Sequence, residues 1–193
     1  MTTFSQRLQK LLSSPGPLTL DRLIRDFAEK SFALLFLLLL ALSALPLPTG
    51  GVTHVFEIIA MLLALESVAG LKTIWLPKRW SSKPLPKGLQ TTALPKFIRI
   101  INWFEKLSRP RLSKLLRKRV AIRVISALIF CFTLFAFIAP PFSGLDTLPS
   151  LAVVILSLSL IFEDFVLLLV GVVVGFAGVV LILALGDIAL KLI

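Results

Sequence analysis

The sequence is poor in the residues that bind metals or form disulfides. Its 193 residues include one cysteine, Cys131, and one histidine, His54. A single cysteine cannot form an intramolecular disulfide, and one histidine with no cysteine partner does not supply the ligands of a zinc site. Cys131 lies within an apolar run and is interpreted as a small hydrophobic residue. We therefore expect no metal and no cofactor.

Catalytic and nucleotide-binding motifs are also missing. The sequence has no nucleophile elbow, phosphate-binding loop or dinucleotide fingerprint. It has no secretory signal pattern either, because the first 30 residues are polar and amphipathic instead of a basic region followed by an apolar core. We predict no enzyme activity and no catalytic residue.

Acidic residues are scarce, and the basic excess is concentrated in one segment. The chain has 10 Asp and Glu against 21 Lys and Arg, a net charge of +11, and 15 of the basic residues lie between Lys72 and Arg123. In a soluble protein this excess would suggest nucleic acid binding. Here the basic segments flank long apolar runs, so anionic lipid headgroups are the predicted partner and nucleic acid is not.

Apolar residues are abundant. They make up 57% of the chain, whose mean hydropathy is +0.97, whereas about 45–50% is usual for soluble domains. Long uncharged runs are typical of membrane spans. We predict one all-α integral membrane domain over residues 1–193 with about five membrane helices. The predicted segments are 31–46, 52–71, 122–139, 148–162 and a Gly-rich final helix, 165–193.

Three amphipathic segments are predicted to lie along the bilayer surface. The first places Leu20, Leu23, Ile24 and Phe27 at helical spacing with charges opposite. The others, 96–107 and 109–120, belong to a basic connector, 78–121. The positive-inside rule places the amino terminus and this connector in the cytoplasm. The carboxyl end is then periplasmic if 165–193 is one unbroken helix, and cytoplasmic if it is broken.

Two apolar runs stop abruptly at Pro/Gly segments, "ALPLPTGGVTH" at 44–54 and "APPFSGLDT" at 139–147. Each predicts the tip of a helical hairpin. Segment 31–46 would be only about 24 Å long, against a hydrocarbon core of about 30 Å. The hairpins are therefore either re-entrant, with tips buried in protein or lining a wet cavity, or fully spanning with ordinary turns.

The two halves of the chain resemble each other. "LDRLIR" at 20–25 matches "LSKLLR" at 112–117, and "PTGGVT" at 48–53 matches "PFSGLD" at 141–146, at offsets of 92 and 93 residues. We predict an internal duplication, with a first half at 15–77 and a second at 109–164 whose leading helix overlaps the connector. Duplicated halves are common in transport folds, where binding sites lie between broken helices.

Polar residues at the tips are the candidate site. His54 and Glu57 stand at i,i+3 and can share a proton, whereas Glu57 and Glu66 are about 180° apart around a helix. Intramembrane carboxylates are usually functional, but a shallow position near headgroups is the alternative. The candidate substrate- or lipid-binding residues are Pro48, Gly50, Gly51, Thr53, His54, Glu57, Glu66, Ser143, Gly144, Asp146, Thr147, Glu163 and Asp164.

Several of these residues also have simpler interpretations. Asp146 and Thr147 can cap a returning helix, or their helix start can bind an anion or polar headgroup. Glu163 and Asp164 form either a polar turn or a link between the two halves. Gly171, Gly175 and Gly178 permit close helix packing, within the chain or in a homodimer.

The order of these features resembles the exopolysaccharide synthesis ExoD family of bacterial membrane proteins. The resemblance covers about residues 15–190 and rests on "WLP" at 75–77, "TLPSLAVV" at 147–154 and Asp164. Family members tend to have an Asn-like residue at Asp146, Gln at Glu66 and Gly at Phe165. The resemblance implies a role in exopolysaccharide production or export at the inner membrane, with lipid-linked saccharides or polysaccharide machinery as partners. The alternative is a small transporter or lipid-carrier translocase with its site between the tips.

Overall fold

The computed structural model describes residues 4–13, 19–27, 30–45, 52–71, 73–75, 94–108, 111–140 and 143–191. These residues form nine α-helices and no β-strand, so the predicted all-helical class is confirmed. The helices are α1 Phe4–Ser13, α2 Leu20–Phe27, α3 Ser31–Ser43, α4 Val52–Ala69, α5 Leu94–Leu107, α6 Ser113–Leu116, α7 Arg119–Ile138, α8 Thr147–Phe162 and α9 Phe165–Lys191.

Helices α3 and α8 form the centre of the molecule. Both are apolar around their whole circumference, and most of their side chains are buried, as expected for a helix surrounded by others. Their neighbours α4, α7 and α9 each keep a row of exposed apolar side chains, including Leu62, Val124 and Val173. Water would oppose such exposure, whereas lipid would not.

Two helical hairpins, α3–α4 and α7–α8, pack with their tips at the same end. Helix α4 runs antiparallel to α7: Arg123 reaches the carbonyl of Ala69, and the His54 and Phe137 rings meet at the opposite end. Helix α3 is paired in the same way with α8, since Lys30 Nζ donates to the Ile161 carbonyl at 2.7 Å. We call the end where α3 and α7 stop the tip end, and the other end the basal end.

Helix α9 returns along α8 from the basal end. Its glycines allow this close approach. A Cβ on Gly171 would lie 2.9 Å from Leu156 Cδ2, and one on Gly178 would lie 2.8 Å from Pro149 Cδ. The glycine face is therefore occupied by the chain's own helices, which is the intramolecular alternative of the prediction. Residues 179–191 continue about 20 Å beyond the first turn of α8.

A second core lies on the basal half of α3 and α8. Leu8 and Leu11 of α1, Leu23 and Phe27 of α2, and Ile98 and Ile101 of α5 are buried there. Helices α2 and α5 were expected to turn their apolar faces to the bilayer. Instead the four buried side chains of α2 and α5 contact protein, while Ile100 of α5 is 45% exposed.

The third predicted surface helix, 109–120, is wrong in its extent. Among its described residues, 111–120, only the single turn α6 forms before α7 begins at Arg119. Leu112 has a left-handed backbone at φ 58°, and Lys118 is extended at ψ 135°. These two conformations interrupt the helical hydrogen-bond pattern on both sides of α6.

The number of membrane helices is not confirmed. Helices occupy all five predicted segments, but only Arg119–Ile138 and Phe165–Leu185 of the described residues are long and apolar enough to cross a membrane by length and composition. Ser31–Ser43 and Thr147–Phe162 are apolar but shorter. The fold is thus all-helical with two such helices.

A candidate polar site at the hairpin tips

His54 and Glu57 form a hydrogen-bonded pair in the first turns of α4. The His54 Nδ1 atom lies 2.7 Å from Glu57 Oε2, as the i,i+3 spacing predicts. The edge of one ring faces the other where His54 meets Phe137, with centroids 5.3 Å apart. Phe137 thereby holds the imidazole against the second hairpin.

Glu57 is fully buried, and one of its oxygens is left over. Its residue exposure is 0%, and no described residue makes a hydrogen bond of good geometry to Oε1. Ser43, at the end of α3, lies beside it within reach of the carboxylate, although the buried Ser43 hydroxyl makes no hydrogen bond of good geometry. Buried polar groups in proteins are nearly always paired, so the unpaired carboxylate oxygen makes Glu57 a candidate for a functional role.

The second hairpin contributes Asp146, the residue that precedes α8. Asp146 is close enough for its charge to act on both His54 and Glu57. It is the N-cap residue of α8 without a standard side-chain capping hydrogen bond, although the Thr147 backbone N–H is close enough to interact with its carboxylate. We call Ser43, His54, Glu57 and Asp146 the tip cluster. It joins the ends of both hairpins.

Other predicted tip residues have local roles. The Ser143 hydroxyl donates to the Pro140 carbonyl at 2.6 Å and accepts from the Leu145 N–H, and Gly144 makes the turn at φ 69°. Thr53 is buried beside His54 on α4, and Thr147 is half-buried at the start of α8. Pro48, Gly50 and Gly51 lie outside the described residues.

Three predicted acidic residues lie at the basal end, away from the tip cluster. The Glu66 carboxylate accepts a hydrogen bond from the backbone N–H of Trp75 at 3.1 Å. Asp164 accepts from the Ser108 hydroxyl at 3.0 Å and caps α9 through the Val166 N–H at 2.9 Å. These contacts give both residues a structural role at helix ends.

Glu163 contacts two cations at the basal end. Its carboxylate lies 3.1 Å from Lys30 Nζ and 2.8 Å from Arg117 Nε. Burial alone would raise the pKa of the Glu163 carboxyl, but the hydrogen bonds and charges of Arg117 and Lys30 outweigh it and hold that pKa below its usual range. Lys30 precedes the first hairpin and Arg117 the second, so the contact joins the two halves of the chain.

Two buried polar residues of the tip end, Ser43 and Ser150, are not among the residues predicted from the sequence. Ser43 lies in an apolar run, and Ser150, one turn into α8, is 0% exposed with no hydrogen bond to its hydroxyl. Ser150 lies 93 residues after Glu57, the same offset as the matching tips. That offset is the signal that could have indicated it.

The chemistry available at the tips is that of protons and polar groups. The described part of the chain holds no group of three or more His, Cys, Asp or Glu placed to bind a metal. A buried carboxylate beside an imidazole can hold a proton, and the orphaned oxygens can accept hydrogen bonds from a polar group.

Comparison of the sequence with known proteins identifies a matching family. The family model described as "Exopolysaccharide synthesis, ExoD" matches residues 4–184. The chain is also 26% identical over 200 residues to the "Uncharacterized protein slr1875" of Synechocystis sp., an alignment that covers all of this chain and 88% of that protein. No solved structure matches the chain.

Proposed function

Since the chain belongs to the exopolysaccharide synthesis ExoD family, we propose that it is a non-enzymatic inner-membrane protein of exopolysaccharide synthesis or export that acts through its tip cluster. The family supports the process. One observation supports the site: Glu57 is fully buried next to His54, with Oε1 unpartnered.

The proposed membrane placement follows from the exposed surface. Helices α7 and α9 are long and apolar enough to cross, and exposed apolar residues on α4, α7 and α9 would face lipid. Lys30, Arg117 and Arg123 lie at the basal end. The positive-inside rule then makes the basal end cytoplasmic, with the basic connector against anionic headgroups.

The tips are proposed to lie inside the bilayer, not beyond it. Helices α3 and α8, of 13 and 16 residues, are about 20 and 24 Å long, while the hydrocarbon core is about 30 Å thick. Helix α9 starts at the basal end, passes the tips at Gly178 and continues with exposed residues such as Val180 and Leu183. If α9 spans the membrane and the first turns of α7, with Arg119 and Arg123, lie in the headgroup layer, the rest of α7 is only about 22 Å long and the tips stop short of the far surface.

An internal duplication accounts for the pairing of the helices. Helix α4 packs on α7 and α3 on α8, which are equivalent contacts when the halves are exchanged. Gly70 and Glu163, 93 residues apart, both have left-handed backbones. The next N–H bonds to the carbonyl five residues earlier in each case, Leu71 to Glu66 and Asp164 to Ser159. Since both tips share one end, the repeat axis would run along the bilayer normal.

Within this proposal, a transporter or lipid-carrier translocase is the version that uses the tip cluster most directly. A polar site between two re-entrant tips, at the interface of duplicated halves, is where transport folds bind their substrates. We propose that the transported molecule is a lipid-linked saccharide, carried either by this protein or by a partner protein. The competing version is a scaffold for polysaccharide enzymes, which needs no buried carboxylate.

The experiment compares Glu57→Gln with Glu66→Gln in a host that lacks its own copy of the gene. Both substitutions remove one carboxylate from the same helix while keeping its size. We expect Glu57→Gln to lower polysaccharide output at least tenfold and Glu66→Gln to change it less than twofold, at equal membrane levels of protein. Wild-type output from Glu57→Gln would exclude the tip cluster as the site and favour the scaffold.

A further inference from the structure

A cleft at the basal end lies outside the tip cluster and the ion contacts of Glu163. It has a volume of about 350 Å³ and lies between helices α1 and α2. That volume falls in the range of about 300–1,000 Å³ usual for small-molecule sites. Its lining residues are Arg7, Lys10, Leu11, Arg22, Asp26 and Phe27.

The lining combines positive charge with an apolar floor. Three cations, Arg7, Lys10 and Arg22, line the cleft, and Asp26 is the acidic residue among the described lining residues. Arg7 and Arg22 each also have an interaction within the chain. Leu11 and Phe27 are 6% and 7% exposed and belong to the basal core. The apolar floor reduces the screening of these charges on one side, so an anion in the cleft is attracted by all three cations.

The guanidinium groups narrow the class of anion. Arg presents a planar set of donors that matches two oxygens of one phosphate, and it keeps its charge at any physiological pH. Arg7 and Arg22 come from different helices, so a tetrahedral or bridged anion can contact both. An isolated helix surface would offer no such convergence.

The cleft is also placed at the level of lipid headgroups. Leu8, Leu23 and Phe27 of the same two helices pack against Leu34 and Ile161 at the basal half of α3 and α8. If α9 crosses the bilayer, the cleft lies where the basal ends of α7 and α9 leave the hydrocarbon. Phosphate esters of lipids are concentrated at this depth.

We propose that the α1–α2 cleft is a second site, which binds a phosphate or diphosphate group at the basal membrane surface. The apolar floor receives the first carbons attached to that group. This site stands independently of the tip cluster, and a lipid-linked phosphate or a soluble phosphate compound can supply the same chemistry.

The test uses the purified full-length chain in a neutral detergent, with two probes. One is short-chain phosphatidic acid and the other is inorganic pyrophosphate, each measured by equilibrium binding. The variants are Arg22→Gln and the matched control Arg25→Gln, on the same helix. Arg25 has a side-chain exposure of 76%, lies outside the cleft lining and pairs with Asp21 at 2.7 Å.

We expect Arg22→Gln to weaken binding of the recognised probe at least tenfold and Arg25→Gln to weaken it less than twofold. Asp26→Asn, which removes the carboxylate from the cleft, should tighten binding several-fold, a gain that misfolding cannot produce. Binding of phosphatidic acid alone would assign the cleft to lipid phosphates, and competition by pyrophosphate would assign it to soluble ones. Equal losses in both arginine variants, or no binding of either probe, would overturn the proposal.

Because none of these measurements involves Glu57, they are separable from the test of the tip cluster. If the chain binds the phosphate probes and Glu57→Gln leaves polysaccharide output unchanged, the cleft proposal stands and the tip-cluster proposal fails. If the chain binds neither probe and Glu57→Gln lowers output, the tip-cluster proposal stands and the cleft proposal fails.

Discussion

Glu163 combines an unfavourable backbone with a favourable side chain. Its left-handed φ of 57° costs about 1–2 kcal/mol in a residue with a Cβ. Its carboxylate, with a side-chain exposure of 11%, meets Lys30 and Arg117, which are 37% and 73% exposed. At the turn after α4, 93 residues earlier, the left-handed residue is Gly70. The ion contacts therefore offset a strain that glycine would avoid.

This arrangement predicts a pH-dependent contribution to stability. The folded pKa of Glu163 is below its ordinary value of 4.5, so its carboxylate stabilises the fold fully above about pH 4.5 and loses that effect as the pH falls through the folded pKa. We expect Glu163→Gln to cost about 1–2 kcal/mol at pH 7. Thermal unfolding in detergent from pH 7 to 3 should show the variant and wild type converging in acid. A constant difference would contradict the ion-pair account.

Gly175 gives a prediction about close packing. A Cβ there would lie 2.2–2.6 Å from ring atoms of Phe132, which is itself 2% exposed. Gly175→Ala should therefore cost about 1–3 kcal/mol through overpacking, more than the helix propensity it gains. In a Phe132→Leu background the same substitution should cost much less. Unfolding temperatures of the four proteins measure this coupling, and additive effects would rule out the contact as the cause.

The tip cluster was partly accessible to sequence reasoning. His54 and Glu57 are three residues apart on one helix, so their contact follows from helical geometry. Ser43 and Asp146 meet them through tertiary packing of three helices. Nothing in one sequence determines that packing, because the apolar side chains between the helices are chemically interchangeable.

At the scale of elements, uncharged runs located the helices well and amphipathic ones less well. The ends of α3, α8 and α9 coincide with polar or Pro/Gly residues visible in the sequence. Helix α1 was missed because its sequence is mostly polar. It is held by tertiary contacts, including the Phe4 N–H and the Ser5 hydroxyl donating to Glu105 at 2.9 and 2.5 Å.

The depth of the hairpins gives a prediction at this scale. We expect a cysteine at Ser143, in a Cys131→Ser background, to resist a membrane-impermeant thiol reagent from both sides of sealed vesicles. Ser143 is at the tip end, about 20 Å short of the end of α9. Cysteines at Ile188 and Lys118 are the controls. Each should react from one side of the membrane only, and the two should react from opposite sides.

Labelling of the Ser143 position from the side that labels Ile188 would mean that the tips are ordinary turns at the far surface. Cys131 has to be replaced because it is exposed on α7 and would otherwise react. Since the Ser143 hydroxyl makes only local turn contacts, its substitution should leave the fold intact.

At the scale of the whole molecule, charge and apolar surface are segregated along one axis. Arg7, Arg22, Lys30, Arg117 and Arg123 all lie at the basal end. The tip end and the overhang of α9 present mainly apolar side chains up to Asp187. The sequence showed the basic segments, but only the antiparallel pairing of α4 with α7 shows that they converge on one face.

This polarity predicts that the two termini lie on opposite sides of the membrane. The chain leaves the basal end through α9, which continues unbroken from Phe165 to Lys191, so the alternative with a broken final helix does not apply. Alkaline phosphatase fused after Ile193 should be active, since it folds only outside the cytoplasm, and green fluorescent protein at the same position should be dark. Fusions after Ser108 in the connector should give the reverse pattern. A fluorescent carboxyl-terminal fusion would mean that α9 does not cross, and the depth assigned to the tip cluster would fall with it.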